Sequence, residues 1–87
     1  MIYKAQGNYP EALKRYEEAL QIDEQLGDLA NKAGCLNNIA SIHYAQGNYP
    51  EALKRYEEAL QILNVQGLSE SPNAKIIKEN IEFIKDS

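Results

Sequence analysis

An all-α fold, a solenoid fragment of helix-turn-helix units closed by a C-terminal capping helix, is what the sequence predicts, on three observations. Residues 5–22 (AQGNYPEALKRYEEALQI) recur unchanged as residues 45–62, which marks duplication of one structural unit. Apolar residues return at steps of three and four, the period of a helix with one buried face. Glycines at positions 27, 47 and 67 punctuate these segments, where helices would stop. Apolar and polar residues alternate nowhere, so no strand is expected.

Taken in order, a stub at 1–6 leads into a first helix at 9–26, whose stripe is Tyr9, Ala12, Leu13, Tyr16, Ala19 and Leu20. The second helix spans 29–46, opened by Asp28 as N-cap and closed by Gly47, with Leu36, Ile39, Ala40 and His43 on its inner side. A third at 49–66 begins with Asn48 as cap, Pro50 in the first turn and Glu51 three residues past the cap. Its inner arc is Tyr49, Ala52, Leu53, Tyr56, Ala59, Leu60 and Leu63, and Gly67 ends it. The fourth covers 72–86 after the cap Ser71, with Ile76, Ile77, Ile81, Phe83 and Ile84 on one broad face and charged residues opposite. Such one-sidedness suits the end of a helical array, where one face is buried and the other is wet.

Composition narrows the function. At 87 residues the chain holds one small domain, with no room for a large enclosed active site. No apolar run exceeds Met1-Ile2-Tyr3, which excludes a transmembrane segment and a secretory signal. A net charge of -4, with no basic cluster beyond Lys14-Arg15 and its copy Lys54-Arg55, makes nucleic acid and anionic membrane poor partners. Cys35 is the single cysteine, so no disulfide framework exists within the chain, and a reducing, cytoplasmic setting fits. Cys35 and His43 alone cannot supply the three or four ligands of a zinc site. Both read as core residues, Cys35 as a small hydrophobe. Pairs such as Glu11 with Arg15 sit at helical spacing and read as a solvated face rather than as acid–base machinery. No nucleotide loop or nucleophile elbow occurs. No catalytic residue, metal or cofactor is expected.

Residues 33–62 resemble the tetratricopeptide repeat: Leu36, then Ile39-Ala40, His43, Gly47, Tyr49, Ala52, Tyr56 and Ala59. Small residues at 40, 52 and 59 allow two helices to approach closely. First-copy counterparts are Tyr3, Gly7, Tyr9, Ala12, Tyr16 and Ala19. The offset here is 40 residues, against about 34 in the ordinary repeat. Asp23 or Leu63 stands where a closing Pro is usual. Long-period repeats of this kind look like those of kinesin light chains and cell-polarity adaptors. On this resemblance the single domain at 1–87 divides into a truncated repeat at 1–26, a complete repeat at 29–66 and a capping helix at 71–87.

The resemblance implies a non-enzymatic protein-interaction module whose first helices line a concave groove for a peptide or partner helix. Carried onto this sequence, the peptide-binding positions are Asn37, Asn38, Ser41 and Tyr44, with Lys4 from the truncated copy. An asparagine amide can pair with a peptide backbone as donor and acceptor, although Asn37 and Asn38 read equally well as solvated helix residues. Cations around Asn38 that would clamp a terminal carboxylate are not matched. The alternative function is self-association, as a homo-oligomer or within a longer array, because one and a half repeats leave part of the first helix uncovered.

Overall fold

The computed structural model describes residues 8–86, which form α1 (Tyr9–Leu26), α2 (Leu29–Ala45), α3 (Tyr49–Val65) and α4 (Pro72–Lys85). The stub at 1–6 lies outside the described residues. Helix ends match the expected boundaries to within one residue, because the glycine signals act as expected. Gly27, Gly47 and Gly67 have φ of 70°, 80° and 77°, left-handed values that a side chain would strain. The turns are built alike. The amides of Asp28, Asn48 and Leu68 donate to the carbonyls of Asp23, His43 and Leu63 at 2.9, 2.8 and 2.8 Å, closing each helix end with a 6→1 hydrogen bond.

The N-termini differ. Asp28 and Ser71 accept hydrogen bonds from the amides of Asn31 and Ala74 at 3.2 and 3.3 Å. Asn48 occupies the cap position of α3 but makes no side-chain cap bond; its amide lies 3.5 Å from His43 Nδ1. Glu51 does not reach back to the cap either, since Arg55 takes its carboxylate at 3.1 Å. With φ of the cap already set and Pro50 removing one orphan donor, α3 begins without the bond that the sequence suggested.

Helices α1 and α3 form one layer and α2 and α4 the other, within a slab 34 × 33 × 20 Å whose thinnest dimension is two helix diameters. The core runs through Leu36, Ala40, Ala52, Tyr56, Ala59, Leu63 and the α4 stripe Ala74, Ile77, Ile81 and Ile84. Ala40, Ala52 and Ala59 are fully buried, as close helix contact requires. Tyr56 pins three helices, its hydroxyl 3.0 Å from Ser41 Oγ of α2 and accepting from Asn80 Nδ2 of α4 at 3.3 Å. Burial pushes the Tyr56 phenol up from its usual value, and the two hydrogen bonds pull it partly back.

Three core expectations change. Ile76 and Phe83 are 52% and 58% exposed. Each precedes a buried isoleucine by one residue, so it sits about 100° round the helix, and α4 is packed by too few neighbours to cover so wide a face. His43 is half-buried at the end of α2, beside Asn48. Cys35 is half-buried too, and its thiol donates to Asp23 Oδ2 at 3.3 Å. Burial, reinforced by that bond and by the Asp23 charge, pushes the thiol from 9.0 up to about 11. Cys35 should therefore react with iodoacetamide at pH 8.5 far more slowly in the folded chain than in urea. Equal rates would show that the thiol is open. Stability should also fall above pH 9, where the unfolded thiol ionises before the folded one.

Candidate functional site

Two stripes of matching spacing face each other across the α2–α4 layer. Gly34, Asn37, Ser41 and Tyr44 follow one another at three and four residues along α2, and Asn73, Ile76, Asn80 and Phe83 do the same along α4. The helices run parallel: Asn37, midway along α2, and Asn73, at the start of α4, line one small crevice, while further along both helices the rings of Tyr44 and Phe83 meet edge-on at 5.9 Å near the C-termini. Tyr44 is held from its other side by Tyr49, 5.4 Å away. Ten residues of helix make this face about 15 Å long.

The expected peptide-binding residues separate on it. Asn37 is half-buried, and its Oδ1 is closed off from solvent without a hydrogen-bond donor among the described residues. Asn38 is exposed, about 100° further round α2. Ser41 is half-buried and its hydroxyl is engaged by Tyr56, so it steadies the face from beneath. Tyr44 belongs to the aromatic end of the stripe. Lys4 lies outside the described residues. The α4 contribution, Asn73, Ile76, Asn80 and Phe83, is absent from the sequence reading, which placed Ile76 and Phe83 in the core. The spacing of Asn73 and Asn80 with those two residues was the available signal.

A second concavity lies between α1 and α3 on the opposite layer. It is larger, about 350 Å³, with Leu20, Leu29, Leu36, Ile62 and Val65 among its walls. Its charged rim is internally paired: Lys32 with Glu24 at 3.3 Å, and Arg55 with Glu51 and Glu58 at 3.1 and 3.2 Å. No polar group there awaits a partner comparable to Asn37 Oδ1. Among the described residues no three potential metal ligands cluster, and no helix is long and apolar enough to cross a membrane.

No curated protein and no solved structure matches the sequence. The family model for the tetratricopeptide repeat matches residues 1–64, which takes in α1, α2 and nearly all of α3. With two copies of an 18-residue segment, three alike glycine turns and antiparallel helices packed through small residues, the chain belongs to the tetratricopeptide repeat family, whose repeats generally mediate protein–protein interactions.

Proposed function

We propose that the chain is a non-enzymatic protein-interaction module that binds a peptide segment of its partner on the α2–α4 face. One observation carries this reading: Ile76 and Phe83 stand 52% and 58% exposed along the α4 stripe, with Phe83 edge-on to Tyr44 of α2, so apolar surface is left open to a partner on this face. The negative net charge and short basic clusters favour a protein partner over nucleic acid or an anionic membrane. The lone thiol suits a cytoplasmic setting, and α4, with Lys75, Lys78, Glu82 and Lys85 off its buried stripe, serves as the cap of the domain spanning 1–87.

The test uses a displayed library of random 12-residue peptides, panned against the intact chain. Selected peptides should lose roughly tenfold or more in affinity with Phe83→Ser, a hot-spot effect, and keep their affinity with Lys14→Ala on the far layer. Insensitivity to Phe83→Ser would remove the α2–α4 face from consideration. Asn38→Ala should leave the melting temperature within about a degree of wild type and weaken binding less than Phe83→Ser, since Asn38 stands round the helix from the stripe. An equal or larger loss would return Asn38 to the centre of the site.

Self-association is a second reading, supported by Ile22 and Leu26 of α1, which are 55% and 74% exposed, whereas Ile62, the copy of Ile22, is half-buried. A sedimentation series across micromolar concentrations distinguishes the two. A homo-oligomer that dissociates with Leu13→Glu would favour this second reading, and a monomer at tens of micromolar would exclude it.

A further inference from the structure

Helices α1 and α3 both pack on α2 but only slightly on each other. A gap of about 350 Å³ is left on the layer away from Tyr44 and Phe83, with Leu20 on one side, Ile62 and Val65 on the other, and Leu29 and buried Leu36 of α2 between them. Two of these walls are wet: Leu29 is 42% exposed and Val65 73%. Val65 stands in the last turn of α3 where the first copy has Gln25. A β-branched residue on an exposed helix position lowers helix propensity and gains little burial. The chain's own folding therefore does not account for it.

We propose that this gap is a second docking site, which takes an amphipathic helix of a partner protein through uncharged apolar side chains. It goes beyond the peptide-binding reading and does not depend on it, because the two faces lie on opposite layers. The charge balance of the rim selects the side chains. Its charged lining is two acids and two bases, Glu24 with Lys32 at 3.3 Å and Glu58 with Arg55 at 3.2 Å, so a charged guest would have to break a pair or lie unneutralised on apolar walls. The polar inventory selects the backbone form. Gln61 is the single uncharged polar side chain of the walls, too little to pair the N–H and C=O groups of an extended strand, whereas a helix pairs them internally. Arg55 to Val65 is about 15 Å of α3, which matches about three turns of a partner helix and anchors at steps of three and four. With both faces occupied, the chain would bridge two proteins.

The experiment pans a displayed library of small helical hairpins, randomised along one helix face, against the intact chain carrying Phe83→Ser, so that the other face is weakened. Selected helices should carry uncharged apolar residues at steps of three and four and bind the wild-type chain equally well. Val65→Gln should cost them at least tenfold in affinity while melting at or above the wild-type temperature, since the position is exposed and glutamine is the better helix former. Exchanging the central anchor for lysine or for glutamate should each cost at least tenfold. Recovery of no helix, undiminished binding to Val65→Gln, or tolerance of either charge overturns the proposal. So does a chain that sediments as a dimer and is dissociated by Val65→Gln, because the occupant is then a second copy.

Discussion

Tyr56→Ala should lower unfolding stability by about 3–5 kcal/mol, the range for large aromatic truncations in a core, while Tyr16→Ala should cost about 1–2 kcal/mol, in keeping with a half-buried side chain. The two tyrosines sit in identical stretches of sequence, within the duplicated residues 5–22 and 45–62. Tyr56 is 1% exposed and its hydroxyl is bonded to Ser41 and Asn80; Tyr16 is half-buried. Local sequence is held constant, so any difference measured in urea unfolding reports tertiary surroundings alone. Tyr56→Phe should retain most of the packing and lose only the three-helix hydrogen-bond junction, roughly 1–2 kcal/mol. Equal losses for Tyr16→Ala and Tyr56→Ala would mean that α1 is covered as fully as α3, and would argue against the exposed edge on which self-association depends.

This pair also shows where reading the sequence stopped. The signals that placed the helices are local: a cap or proline at the start, a glycine with left-handed geometry at the end, and a periodic stripe between. Gly27, Gly47 and Gly67 therefore fixed the helix count and lengths. Burial is not local. Residues 9–22 and 49–62 are the same peptide, yet Ala59 is fully buried where Ala19 is half-buried, because α3 is packed by α2 and α4 and α1 chiefly by α2. No window of sequence carries that distinction.

The candidate site was half legible for the same reason. Asn37 and Tyr44 could be placed on α2 from the resemblance, since one helix's faces follow from its register. The facing stripe of α4 required knowing which side of that helix meets α3. Ala74, Ile77, Ile81 and Ile84 take that side, and Ile76 and Phe83 are left on the flank toward Tyr44. Counting apolar residues merged both groups into one face. Gly34 went unnoticed because a helical glycine is conspicuous only once its surroundings are seen to be empty.

Asp23→Leu should stabilise the chain by about 2 kcal/mol at neutral pH. Asp23 is where the two copies part, since the identity ends at residues 22 and 62 and the counterpart of Asp23 is Leu63. Both positions are buried, at 8% and 7% exposure. A carboxylate at such a site loses hydration, and among the described residues its one side-chain hydrogen bond is from the Cys35 thiol, a weak donor. It also lies in the last turn of α1, where the helix dipole is negative and repels an anion. Leucine removes the charge and adds apolar burial of the kind that Leu63 already makes. The losing side of the balance is small, because a thiol without its acceptor gives up little. Two readouts separate this account from a general gain in helicity. Asp23→Asn, which keeps the shape and removes the charge, should recover part of the gain. The Cys35 thiol in Asp23→Leu should ionise somewhat more easily than at about 11, yet stay above 9.0, because burial is the largest cause of its shift and Asp23 the lesser one. A loss of stability in Asp23→Leu would mean instead that the carboxylate has a structural partner beyond Cys35.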